Sequence, residues 1–125
     1  SGSAGIDLDL TAGKMYLSYP NSNTITRRNL DGTGAETLLT LSATERPFGM
    51  AIFEGRMYWC DNDNGLLRSA TTGGADVTTV LSGLDSPRAV SVFTAVVPEP
   101  TTLSMLLLAV AVAAVRKSRW RVKTR

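Results

Sequence analysis

Histidine is absent from this 125-residue sequence, and cysteine occurs once, at Cys60. The missing imidazole removes the commonest general base and the commonest metal ligand, which excludes His-dependent triads, zinc sites with His ligands and haem held by His. A lone cysteine forms no intrachain disulfide and builds no thiolate metal site, so a disulfide-stapled mini-domain is excluded too. Serine and threonine hydroxyls have no histidine partner, and a Ser-Lys arrangement has only Lys14, Lys117 and Lys123 to draw on. The length allows one modest domain with an appendage.

Charge is unevenly placed. Residues 1–115 carry seven basic side chains against all eleven acidic ones, a net of −4. The last ten residues add six cations, Arg116, Lys117, Arg119, Arg121, Lys123 and Arg125. A sequence pI near 9.0 therefore describes a mildly acidic body with a basic tail. It does not indicate nucleic-acid binding.

Composition changes abruptly at Val97. Pro98-Glu99-Pro100-Thr101-Thr102 leads into Leu103–Val115, where only Ser104 is not apolar, and the basic decapeptide follows at once. Two prolines two apart fix φ and remove backbone donors, so this stretch reads as a stiff, exposed strap. Pro100 also suits a helix start, where the first N–H groups need no internal partner. Thirteen residues give roughly 20 Å of helix, short of the roughly 30 Å hydrocarbon core of a bilayer. The run has no polar face for a core helix to expose, and the cations after it favour a membrane span. Thr101, Thr102 and snorkelling Arg116 and Lys117 lengthen that span, with Trp120 at the interface. By the positive-inside rule the tail is cytoplasmic and residues 1–97 lie outside.

Val97, Pro98, Glu99, Pro100, Thr101, Thr102 and Leu103, a short apolar helix and an Arg/Lys terminus together resemble the PEP-CTERM protein-sorting signal of bacteria. The resemblance implies an exported protein handed to a membrane-embedded exosortase, in organisms that make extracellular polysaccharide. It covers about the last 28 residues. An ordinary single-pass anchor is the alternative.

The body repeats. Gly13-Lys14-Met15-Tyr16-Leu17-Ser18 recurs as Gly55-Arg56-Met57-Tyr58-Trp59-Cys60 at an offset of 42; Arg27 and Gly32 meet Arg68 and Gly73 at 41; Pro47 meets Pro87 at 40. That drift reads as one residue lost in each of two connections. Gly5-Ile6-Asp7-Leu8 matches Gly49-Met50-Ala51-Ile52 at 44, which places two extra residues in the first copy's Asp9–Ala12 turn. Within a copy the signal is that of strands: Ile6, Leu8 and Leu10 alternate, as do Met15 and Leu17. Asn64-Gly65, Asp31-Gly32 and Gly73-Gly74 mark turns, and Thr37–Leu41 and Val77–Leu81 are strand-forming runs. Short antiparallel strands at this period indicate propeller blades.

Tyr58-Trp59-Cys60-Asp61 with Leu66-x-Arg68 and Gly73 resembles the YWTD repeat of low-density-lipoprotein receptor propellers, also called the class B repeat. The first copy keeps Tyr16, Ile25-x-Arg27 and Leu30-Asp31-Gly32, and Pro47-Phe48-Gly49 matches the lead into the next strand. Leu17 replaces Trp, Tyr19 replaces Asp and Cys60 replaces Thr. The resemblance implies an all-β fold in which about two four-stranded antiparallel blades, at residues 1–95, form part of a six-bladed propeller. A linker and sorting motif at 96–102, one C-terminal transmembrane α-helix at 103–115 and a basic cytoplasmic tail at 116–125 complete the organisation. Two blades do not close a ring, and the sequence opens at Ser1 without an export signal. The expectation is therefore the C-terminal part of a longer propeller, or a degenerate remnant of one.

Candidate sites are few. Asp61-Asn62-Asp63-Asn64-Gly65 offers the clustered oxygens that calcium takes, but an EF-hand needs Gly at its sixth position and Glu at its twelfth, where this sequence has Leu66 and Thr72. A polar hairpin turn accounts for it better. Tyr16, Tyr58 and Trp59 are read as packing rather than as a binding platform. Arg27 and Arg68, recurring at one position, suggest a structural ion pair between blades, and Cys60 a small buried residue. No catalytic, cofactor or metal residue is assigned. The expected protein is a non-enzymatic cell-envelope or secreted module with an extracellular protein or polysaccharide partner. It would be anchored with residues 1–97 outside the membrane, or released after processing. The alternative is part of a propeller enzyme, lactonase- or lyase-like, with its site in other blades.

Overall fold

The computed structural model describes residues 2–97 and 105–114. Ten strands occur among them. β1 (Gly5–Asp9), β2 (Lys14–Tyr19), β3 (Thr24–Asn29) and β4 (Glu36–Thr40) form one antiparallel sheet in that order. β5 (Pro47–Phe53), β6 (Arg56–Asp61), β7 (Leu66–Thr71) and β8 (Thr78–Leu81) form a second sheet of the same order. β9 (Pro87–Val97) and β10 (Met105–Ala114) pair as a two-stranded ribbon. The two meanders are the expected blades.

Turn chemistry sets each meander. Glu54 and Gly55 both take positive φ, 46° and 78°, as a two-residue hairpin between β5 and β6 demands. The first copy uses four residues there, Leu10–Gly13, which accounts for its two extra residues. Asn23 and Gly65 close the next turns at φ 57° and 65°.

Register corrects the expected drift. Backbone bonds recur at 42: Leu30 N–H donates to Gly13 and Thr72 to Gly55, Asn29 to Thr33 and Thr71 to Ala75, Gly32 to Asn29 and Gly74 to Thr71. Gly32 thus corresponds to Gly74, not Gly73. Arg27 lies opposite Tyr16, whereas Arg68 lies opposite Trp59. The arginines are one residue out of step and occupy opposite faces of their blades, because strand side chains alternate. The equivalent buried pair is Ile25 and Leu67. Both lost residues fall in one connection: seven separate Leu39 from Pro47, and five separate Leu81 from Pro87.

The core lies between the blades. Tyr16 and Ile25 of the first face Met50, Met57, Trp59 and Ala70 of the second, with Leu38, Leu39, Leu41 and Ile52 around them. At the inner end there is no room for side chains. A methyl group at Gly5 would collide with the carbonyl oxygen of Phe48, and one at Gly49 with that of Arg88. Ser18 Oγ donates to the same Phe48 oxygen at 2.5 Å, and the Ile52 N–H donates to Asp7 Oδ2 at 2.6 Å. β5 therefore lies against β1, and β9 lies against β5 in the same relation.

A helix is expected over residues 103–115, but residues 105–114 form β10 along β9. The physical reason is the free outer edge of β9: without a bilayer, a run with no polar face satisfies its backbone groups by pairing there. No helix among the described residues is long and apolar enough to cross a membrane.

Trp59→Ala empties the centre of the inter-blade core and should lower stability by about 3–5 kcal/mol. Leu10→Ala, at a 74% exposed position, should stay within about 0.5 kcal/mol. Urea unfolding followed by circular dichroism measures both.

Candidate functional site

The acidic turn is a structural clamp. Asp61 is fully buried; its Oδ1 accepts from the Arg46 N–H at 3.0 Å and the Asn64 N–H at 3.4 Å, and its Oδ2 from Asn64 Nδ2 at 2.7 Å. Asn64 Nδ2 also reaches Thr44 O at 2.9 Å, Asn62 Nδ2 reaches Pro87 O at 3.2 Å, and Asp63 pairs with Arg46 at 3.2 Å. The turn thus fastens β6 to the connection before β5 and to the start of β9. No group of three or more Asp, Glu, Cys or His able to hold a metal occurs among the described residues. In the first blade Tyr19 stands where Asp61 stands in the second, and its hydroxyl accepts from Arg28 at 3.3 Å.

Tyr16, Tyr58 and Trp59 are all buried, so none presents a ring to a ligand. Arg27 donates to Glu36 at 2.8 and 3.1 Å within its own blade and to Thr72 O of the next blade at 3.1 Å. The hydrogen bond to Glu36 holds its guanidinium pKa above the usual arginine value. Arg68 lies 3.6 Å from Glu45, in the connection between the blades. The ion pair of Arg27 is therefore inside one blade, and its bridge to the next blade is to a carbonyl.

Asp31 turns the chain locally. Its Oδ1 accepts from the Thr33 hydroxyl at 2.6 Å and the Thr33 N–H at 2.9 Å, and these bonds hold its pKa below the ordinary carboxylate value. A lowered folded-state pKa means that the turn's support is present once the carboxylate is ionised and is lost as pH falls through that range. Burial pushes the Cys60 thiol up to about 11.

Two features have no signal in the local sequence pattern. The first is a cavity of about 390 Å³ between the β1–β2 and β5–β6 turns, lined by residues 8–11 and 52–55, with Asp9 and Glu54 among them. The second is the outer face of the first blade. Ile6 and Leu8 are 57% and 45% exposed there, beside half-buried Met15 and Leu17. Their equivalents in the second blade, Met50, Ile52, Met57 and Trp59, pack against the first blade. The open face is thus the counterpart of a face the fold already uses for blade packing. Alternation of Ile6, Leu8, Met15 and Leu17 was legible as strand; which side lacked a neighbour was not.

Val97 ends β9. Pro98, Glu99, Pro100, Thr101 and Thr102, and the cations from Arg116 to Arg125, lie outside the described residues.

A family model described as the PEP-CTERM protein-sorting motif matches residues 96–121. Among solved structures, a nidogen/laminin complex is similar with a TM-score of 0.65 at 21% identity, covering 70% of this chain and 34% of that one. The virginiamycin B lyase of Staphylococcus aureus is similar with a TM-score of 0.59 at 20% identity, covering 72% of this chain and 31% of that one. Both neighbours are β-propeller proteins. At these identities the likeness is one of fold, and the chain spans about a third of each neighbour's length.

With a pKa near 11, only about one Cys60 thiol in a thousand is ionised at pH 8. A chromogenic disulfide reagent should leave Cys60 unmodified in the native protein and titrate one thiol in urea. Asp61→Ala removes the acceptor of three part-buried hydrogen bonds and should cost about 1–3 kcal/mol in the same unfolding measurement.

Proposed function

We propose that this chain is part of an exported bacterial protein in which propeller blades form a non-enzymatic binding or structural module outside the membrane. The segment from Val97 onward delivers that module to an exosortase. The observation that carries the reading is the sorting-motif match at 96–121, which begins within the last strand of the blade region. The charge asymmetry supports the orientation, with a body of net −4 outside and six cations retained inside. The open Ile6–Leu17 face and the one-third span support further blades that complete the ring.

In the membrane the apolar run adopts a different structure from β10. A two-stranded ribbon leaves one edge of backbone groups unpaired, and in hydrocarbon only helices and closed barrels satisfy every such group. Residues 103–115 are therefore helical when inserted, with Thr101, Thr102, Arg116 and Lys117 extending a span otherwise too short.

The binding reading over an enzymatic one rests on how the polar residues are used. Asp7, Arg27, Asp61, Asn62 and Asn64 all hold turns or neighbouring strands. The cavity beside Asp9 and Glu54 is the surface, among the described residues, that this reading offers to an extracellular protein or polysaccharide. A lactonase- or lyase-like activity is the second reading, favoured by the fold likeness to a lyase; its site would lie in further blades.

Replacing Pro98 and Pro100 together by Ala should leave most of the protein in the membrane fraction, while the unaltered protein is released. Immunoblots of membrane and medium measure this, and equal release would point to a plain anchor. A reporter fused after Val97 should be active outside the cell, and one that stays cytoplasmic overturns the proposed orientation.

A further inference from the structure

β9 fixes the end of the blades from which the tail leaves. Gly5 lies against Phe48 O and Gly49 against Arg88 O. Phe48 and Arg88 are therefore equivalent, and at that offset of 40 Pro47 corresponds to Pro87 and Phe53 to Phe93. Asp61 holds the Arg46 N–H at the entry to β5, and Asn62 beside it holds Pro87 O at the entry to β9. β1 runs the same way, because Gly5 lies beside Gly49 and Asp7 takes the N–H of Ile52. The three inner strands thus share an entry end and an exit end.

At the exit end β1 turns back through residues 10–13 and β5 through Glu54-Gly55, and the cavity lined by residues 8–11 and 52–55 lies between those turns. The connections after β3 and β7 reach the same end, where Leu30 N–H donates to Gly13 O and Thr72 N–H to Gly55 O. β9 continues past the level at which β5 turns, from Phe93 on to Val97. The sorting motif, matched over residues 96–121, begins there. At the entry end lie instead the turns of residues 20–23 and 62–65 and the connection before Pro47.

Chain length limits how far the exit end can stand from a bilayer. Residues 94–97 add about 13 Å of strand, and Pro98-Glu99-Pro100 reach at most about 14 Å more before the span begins at Thr101. The exit end is therefore within about 27 Å of the hydrocarbon, and headgroups fill about 5–8 Å of that gap. The entry end is a strand's length farther away, about 20 Å. A folded domain of about 100 residues, with a radius of gyration of about 13 Å, is roughly 34 Å across and too wide for the gap. We infer that the anchored protein stands end-on to the membrane with this cavity toward the bilayer, and that a folded protein partner reaches the cavity only after sorting has released the blades. This rests on the membrane reading above, because the inserted span is what draws the exit end down. A single extended chain is not excluded in this way, so anchoring selects among partners of one cavity.

Single cysteines at exposed positions test this in the complete polypeptide, since buried Cys60 does not compete for reagent. Thr11→Cys marks the exit end and Asn21→Cys the entry end. A maleimide carried on a folded protein of about 100 residues is compared with free maleimide, on membranes from the producing cells and on protein released into the medium. In membranes the protein-borne reagent should modify Thr11→Cys about tenfold more slowly than Asn21→Cys, or slower still, because a body wider than the gap is excluded. Free maleimide should modify both positions alike, and in released protein both reagents should do so.

Equal modification of the two positions in membranes, or slower modification of Asn21→Cys, overturns the inference. Protein-borne reagent that still fails at Thr11→Cys after release overturns it too, since the turn itself is then the obstacle. Should either turn tolerate cysteine poorly, Leu10→Cys and Thr44→Cys, exposed at the same two ends, make the same comparison. Dyes on these cysteines measure height independently, by energy transfer to an acceptor lipid in vesicles of phosphatidylethanolamine and phosphatidylglycerol. Transfer should be stronger from the exit end. Equal or reversed transfer rejects the orientation alone, and no transfer from either end rejects the membrane reading with it.

Discussion

The contact on which the rest of the structure depends is the approach of one inner strand to the next at glycine. Gly5 and Gly49 leave no space for even a methyl group between their backbones and the carbonyls of Phe48 and Arg88. One strand outward, the same interface holds Tyr16 against Trp59 and Met57. Side-chain size therefore increases from the inner strand to the second, so adjoining sheets touch at one end and are held apart at the other. Wedges of this kind form an arc rather than a flat stack, which is why inner strands 40 to 44 residues apart come to line one side.

Polar residues secure that arc. Two blades alone bury a small core for their surface, and a domain of this size has little stability to spare. Asp61 gathers the N–H groups of Arg46 and Asn64, Asp7 takes the N–H of Ile52, and Arg27 reaches the carbonyl of Thr72. Each bond joins segments far apart in sequence or closes a turn, and each neutralises a backbone group that packing would otherwise strand. The acidic turn is spoken for in this way, which is the physical difference between it and a cation site.

The apolar run near the carboxyl terminus has two ways to satisfy its backbone. Against β9 it forms a ladder; in hydrocarbon it must supply its own bonds as a helix. The environment chooses between them, because leucine, alanine and valine accept either conformation and no polar face commits the segment to one.

Strands, turns and the tandem repeat were legible in the residues themselves. Alternation in Ile6-Asp7-Leu8 and Met15-Tyr16-Leu17, the turn dipeptides Asn64-Gly65 and Asp31-Gly32, and the 42-residue recurrence all act locally. The Pro-Glu-Pro motif, its apolar run and its cations were equally local. Parity was not, because matching Ile25-x-Arg27 to Leu66-x-Arg68 looks sound until the ladder puts Arg27 opposite Tyr16 and Arg68 opposite Trp59. A shift of one residue costs the sequence pattern little and exchanges the two faces of a strand. By itself, then, the sequence determined that this is a repeated β-meander followed by a segment of the PEP-CTERM sorting type, since both are written in short-range periodicity and composition. Tertiary structure alone decided that Asp61 is a clamp, that the Ile6–Leu17 face is open among the described residues, and that β9 lies against β5 as β5 lies against β1. Those facts depend on which backbone lies against which, and a side chain's face acquires its meaning only from what is packed on the other side.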